Sequence, residues 1–177
     1  LAGEIADIVM LANYASPTAL EKSLNQVRKG LNKANKSESS VEIISRVDVA
    51  ISVDGVEARK AVAPRILSAM RASYPILNYL EHLPEFELSS KFIQAMMKKD
   101  HATKTYYSNP EHSYPLIPQV LFEHLAVAGT PAEVAERLTS IAKTGVFSEI
   151  TVSLSPCRGQ SLSEAFRQFA QDVMTEL

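Results

Sequence analysis

A chain of 177 residues, 46% hydrophobic and 21% charged, can build one domain with its own core, and this composition excludes a disordered or low-complexity protein. A formal net charge of −2 argues against a nucleic-acid partner, which needs a clustered basic face. A single cysteine excludes an intrachain disulfide framework and a cysteine-rich zinc centre and fits a reducing, cytoplasmic setting.

The chain opens Leu1-Ala2-Gly3-Glu4-Ile5-Ala6-Asp7, with no entry turn, and reads as the end of a helix already under way. It is therefore expected to be a piece of a longer protein. Ile8 to Ala12 is an apolar run of strand length, with both faces expected to be buried, as in a parallel sheet or barrel. Ser16 and Pro17 suit the cap and first position of a helix whose buried stripe is Leu20, Leu24, Val27 and Leu31. Val41 to Val53 is the longest strand candidate. Val41, Ile43, Val47, Val49, Ile51 and Val53 share one face, while Arg46 and Asp48, two residues apart, share the other. Those two either satisfy each other or line a ligand cavity. Asp54-Gly55-Val56-Glu57 then opens a helix with Ala58, Val62, Ile66 and Met70 inward, Pro64 within it, and Arg59, Arg65 and Arg71 toward solvent.

From 72 to 127 the pattern loosens into a helical and loop-rich insertion, with helices expected at Ile76 to His82, Leu88 to Lys99 and Val120 to Leu125. Gly129 reads as loop. Thr130, Pro131 and Glu133 then form a capping box at the head of a helix, with Val134, Leu138, Ile141 and Ala142 inward. Gly145 offers a left-handed stop, and Ile150, Val152 and Leu154 alternate as a strand. Ser161 and Glu164 make a second capping box. Leu162, Ala165, Phe166, Phe169, Val173 and Leu177 are its expected buried side. Three strands alternating with helices call for parallel pairing through crossovers, hence an α/β architecture.

Chemistry is less legible. Neither Gly-rich nucleotide loop occurs, and no apolar run approaches the ~20 residues of a membrane span. The four histidines, His82, His101, His112 and His124, stand 19, 11 and 12 residues apart, so no helical metal pair forms and no metal is expected. Cys157 sits beside Arg158, whose guanidinium could lower the thiol pKa and make it a nucleophile. In parallel α/β folds, chemistry gathers at the C-terminal strand ends, here Asn13 to Ser16, Ser52 to Gly55 and Ser155 to Gln160.

Three stretches carry a resemblance. Ala2-Gly3-Glu4-Ile5-Ala6-Asp7 with its strand, Val47-Asp48-Val49-Ala50 with Asp54-Gly55-Val56-Glu57-Ala58-Arg59, and Ala128-Gly129-Thr130-Pro131-Ala132-Glu133-Val134-Ala135-Glu136-Arg137-Leu138 with Gly145-Val146 resemble, in order and spacing, the bacterial luciferase-like monooxygenase family. The branch resembled most includes the deazaflavin-dependent methylene-tetrahydromethanopterin reductases. Ile8 departs from the family pattern, which has glycine after Ala-Asp.

The resemblance implies the C-terminal part of a (β/α)8 TIM barrel, strands six to eight of a longer chain. Residues 1–177 then form one partial domain, with the 72–127 insertion before the last strand. It implies a flavin- or deazaflavin-dependent oxidoreductase or monooxygenase using FMN or coenzyme F-420. A small-molecule substrate follows, and so does either a homo-oligomer or the missing N-terminal part of the same protein. Asn13, Arg46, Asp48, Cys157 and Arg158 are the expected cofactor- or substrate-binding residues; no catalytic residue is assigned. The competing readings are a non-catalytic scaffold lacking the cofactor half and an unrelated thiol hydrolase built on Cys157.

Overall fold

A computed structural model of the chain describes residues 1–72 and 108–177. Over those residues the elements run α1 (Ala2–Ile5), β1 (Ile8–Ala12), α2 (Pro17–Lys33), β2 (Glu42–Ile51), α3 (Gly55–Ala72), α4 (Pro110–Ser113), α5 (Gln119–Leu125), β3 (Val127–Gly129), α6 (Pro131–Ala142), β4 (Glu149–Leu154) and α7 (Leu162–Gln168).

β2 is the centre of a four-stranded parallel sheet. Ile44, Ser45 and Arg46 pair at once with Met10, Leu11 and Ala12 of β1 and with Glu149, Ile150 and Thr151 of β4, so β1 and β4 lie on opposite edges. Val49 pairs with Val127 of β3 and with Leu154 of β4. β3 therefore shares the β1 edge, further along β2. β1 leaves room by turning away early. Asn13 takes the left-handed region at φ 67°, which asparagine tolerates better than most residues, and Ala15 N–H then donates to the His124 carbonyl at 2.7 Å. Three strands follow from the periodicity; the fourth, β3, replaces part of the expected loop.

Local signals set the helix starts. Ser16 Oγ accepts from Ala19 N–H at 3.2 Å to cap α2. Thr130 with Glu133 and Ser161 with Glu164 close full capping boxes on α6 and α7. Gly145 ends the α6 turn at φ 67°.

One sheet face carries the larger core. Val9, Leu11, Ile43, Val47 and Val49 pack with Leu20, Leu24, Val27 and Leu31 of α2, Val134, Leu138 and Ile141 of α6, and Phe169 and Val173 beyond α7. On the other face the described residues cover only the C-terminal end. Ala50 and Ala128 meet Val62, Ile66 and Met70 of α3 and Leu121, Phe122 and Leu125 of α5. Its N-terminal half is bare. Ile8 and Met10, expected to be buried, are 56% and 52% exposed, and Ile44, in register with Met10, is half-buried. Nothing among the described residues covers them.

Two expected stripes shift. On α6 Ala135 is buried and Ala142 exposed. Along α7 and the turns after it, only Ala165, Phe169 and Val173 of that stripe turn inward, while Leu162, Phe166 and Leu177 are exposed. The helix widens to a π-turn over Phe169–Val173, and the α7 spacing is not kept through it. The described part of the expected insertion holds α4, a tight turn at Tyr114–Leu116 and α5. The helices expected at Ile76 to His82 and Leu88 to Lys99 lie outside the described residues. Among the described residues no helix is long and apolar enough to cross a membrane.

Candidate functional site

The bare face and the loops at the C-terminal strand ends form the candidate site. Alternation puts Arg46 and Asp48 of β2 on that face, and register places Thr151 and Ser153 of β4 beside them. Arg46 Nη2 donates to Asp48 Oδ1 at 3.4 Å, and Arg65 Nη1 on α3 lies 3.7 Å from the same oxygen. Asp48 is buried and the two guanidiniums are partly open. Arg65 is thus an ion-pair partner as well as a solvent-facing residue. Asn13 joins the group through its backbone, its N–H donating to the Arg46 carbonyl at 3.2 Å.

Cys157 and Arg158 lie apart from that pair, beyond β4. They line a cavity of about 340 Å³ together with Glu57, Lys60, Pro110 and Glu111. The Lys60 ammonium bonds Glu57 at 2.9 Å and Glu111 at 3.4 Å, and the Glu57 hydrogen bond, against desolvation, holds its pKa above the ordinary lysine value. The Cys157 thiol donates to the Ile51 carbonyl at 3.3 Å. Burial first, then the Glu57 charge, push its pKa up. The expected lowering by Arg158 is not found, so the thiolate a nucleophile needs is disfavoured. Ser155 begins this loop. Its N–H donates to the Val49 carbonyl at 2.8 Å, while its buried hydroxyl has no partner among the described residues.

The rim between these groups is braced by residues that spacing alone does not reveal. His124 Nδ1 lies 2.7 Å from Ser16 Oγ, across 108 positions of sequence. Arg137 Nη2 donates to the Glu123 carbonyl at 2.7 Å and the Ala15 carbonyl at 3.2 Å, and burial lowers its pKa. Arg59 stands beside Gly55 and Glu133, with its Nε buried and without a partner among the described residues. His82 and His101 lie outside the described residues; among the described ones no cluster of three metal-ligating side chains occurs.

The site reads as a wall: polar and charged groups on an open sheet face, topped by loops that carry an orphaned hydroxyl and an exposed arginine. The chain is similar to a coenzyme F-420-dependent tetrahydromethanopterin reductase from Methanopyrus kandleri, at 22% identity and a TM-score of 0.68 over 98% of this chain and 46% of that one. It is similar to an F-420-dependent secondary alcohol dehydrogenase at 15% identity and a TM-score of 0.62, covering 99% of this chain and 44% of the other. An EDTA monooxygenase from Chelativorans sp. BNC1 matches at 16% identity and a TM-score of 0.51, covering 98% and 42%. At these identities the likeness is one of fold, that of a luciferase-like TIM barrel, and the chain spans under half the length of each. The family model described as luciferase-like monooxygenase matches residues 1–148. The chain belongs to the luciferase-like monooxygenase family.

Proposed function

We propose that this chain is the C-terminal wall of a (β/α)8 barrel that works as a flavin- or deazaflavin-dependent oxidoreductase on a small molecule. β1, β2 and β4 then take the places of strands six, seven and eight, with β3 at the mouth. The observation that carries the reading is the half-bare sheet. A parallel sheet is normally covered on both faces, yet Ile8 and Met10 stand open on the same face as Arg46, Thr151 and Ser153. Closure into an eight-stranded ring would make that face an interior. The remaining strands would come from further residues of the same protein, and a homo-oligomer is compatible with the exposed Leu162 and Phe166.

Two of the similar proteins named above, the reductase and the alcohol dehydrogenase, are described as coenzyme F-420-dependent, and a riboflavin lyase of the same fold holds a modified FMN. The residues here fit such a group at one specific point: the buried, unpartnered Ser155 hydroxyl lies at a strand end, where a ligand hydrogen bond is missing. Asn13, Ser155 and Arg158 would hold the cofactor at the mouth, and Arg46, tethered by Asp48, would face it from within. The bound ring supplies hydride or oxygen chemistry; the chain orients ring and substrate and excludes water.

The test is uptake of coenzyme F-420 or FMN by the protein, followed by cofactor fluorescence and turnover. Arg46→Ala and Arg158→Ala should weaken both affinity and turnover. Unchanged values in both variants would remove those two residues from the site. A protein that takes up neither cofactor is the non-catalytic scaffold.

A further inference from the structure

Two guanidiniums converge on one carboxylate in the open face. Arg46 Nη2 and Arg65 Nη1 lie 3.4 and 3.7 Å from the same atom, Asp48 Oδ1. The Asp48 side chain is 5% exposed, while those of Arg46 and Arg65 are 31% and 46% exposed. Two cations against one anion leave a net positive charge there. Both separations exceed the ~2.7–2.9 Å of a tight charged N–H···O bond. Each guanidinium carries five N–H donors in a rigid fork. Among the described residues, neither has another hydrogen bond or ion pair. The donor supply therefore exceeds what Asp48 accepts.

Among the described residues no second carboxylate forms an ion pair with either guanidinium. Thr151 and Ser153 of β4 stand on the same face beside Arg46 and Asp48. Thr151 spends its hydroxyl proton on Glu149 Oε1 at 2.8 Å; Glu149 stands on the same face, exposed and in register with Ile44, and forms no ion pair with either arginine. The prongs come from different elements, one from the strand and one from the helix laid over its C-terminal half. A planar oxyanion entering between them meets two forks.

We propose that Arg46 and Arg65 form a two-pronged site for an oxyanionic group, a carboxylate or a phosphate, of a ligand bound against the bare face. Asp48 is the positioning residue that sets their spacing through its one shared oxygen. This rests on the reading of that face as an interior and adds Arg65, from the helix, to it. The bound group makes charge-assisted hydrogen bonds to both forks and needs no covalent step.

Arginine Nε–Hε signals of the isotopically labelled protein report the site without turnover. Titration with inorganic phosphate and, separately, with acetate should shift two arginine signals together and saturably. Arg46→Lys and Arg65→Lys should each delete one of them. A response to phosphate alone indicates a phosphate-bearing ligand, and a response to acetate alone a carboxylate-bearing one; either supports the site. Arg65→Gln should weaken binding of the responding probe about tenfold. In Asp48→Asn both signals should move toward those of freely mobile arginines before any probe is added, a change that a role elsewhere in the fold would not produce. Backbone amide signals in the same spectra verify folding. Signals unmoved by both probes, or an Arg65→Gln response equal to that of the parent, would overturn the site. Coenzyme F-420 or FMN uptake in the absence of any anion response discards the two-pronged site and leaves the redox reading standing. An anion response without cofactor uptake does the reverse.

Discussion

Gly3 and Gly30 bring two helix backbones into direct contact. A β-carbon on Gly3 would run into the Val27 carbonyl oxygen, and one on Gly30 would lie 3.1 Å from the Gly3 Cα. The closeness lets α1 lie against α2, where Lys33 Nζ reaches Glu4 at 3.1 Å. Gly3→Ala should therefore destabilise by roughly 1–3 kcal/mol through overpacking against backbone that cannot swing aside. Gly30→Ala should cost less, since its neighbours need shift only slightly and alanine favours a helix by about 1 kcal/mol. Chemical denaturation of the two variants reads the order; a Gly3→Ala protein as stable as the parent would show that α1 is not docked this way.

The cap of α6 should be pH-sensitive. The Thr130 backbone N–H, then its hydroxyl, holds the Glu133 carboxyl below the usual carboxylate range. A carboxyl whose folded pKa is depressed stabilises fully above its unfolded pKa, and that share is lost as pH falls through the folded value. Thr130→Ala should cost about 1 kcal/mol at neutral pH. The gap between variant and parent should narrow as pH drops below the ordinary glutamate range. Denaturation at both pH values checks it, and a gap that does not change with pH contradicts the contact between the Thr130 hydroxyl and the Glu133 carboxylate.

Ser45 is fully buried on the aliphatic face of β2, and its hydroxyl has no partner among the described residues. An unmade hydrogen bond in the core is a cost, so Ser45→Ala should leave stability unchanged or raise it by about 1 kcal/mol. Buried Ser113 is the contrast, with its hydroxyl directed at the Asn109 and Pro110 carbonyls at 3.1 and 3.3 Å. Its alanine variant should lose stability. Thermal melts of both variants separate the cases.

Cys157 should alkylate slowly at neutral pH, because burial and Glu57 keep the thiol protonated. Glu57→Gln removes the charge and should speed alkylation, shifting its pH profile downward. A fast, low-pH reaction in the parent would restore the thiol as a candidate nucleophile.

Much of the fold is written in short-range signals. Thr130 with Glu133, Ser161 with Glu164, and Ser16 with Pro17 specify their helix starts through contacts three residues apart, and each is found. The stripes of α2 and α3 follow from helical spacing in the same way. What depends on distant neighbours is not legible. Val127–Gly129 is too short for any period, and becomes a strand only because Asn13 turns β1 off the edge of β2. Apolar Ile8 and Met10 show that the chain can bury them, not that a covering layer is present. Arg65 joins Asp48 from a helix whose inward stripe it does not belong to, and Ser16 meets His124 from the far end of the chain. The site is less legible than the scaffold for the same reason.

The account stands on the bare face of β1 and β2 being an interior in the working protein. Met10→Cys, labelled with a bulky maleimide in the native protein, tests this most directly. The account predicts that the thiol is shielded in the folded protein and reacts only on denaturation. Rapid labelling of a folded, cofactor-competent protein would contradict it.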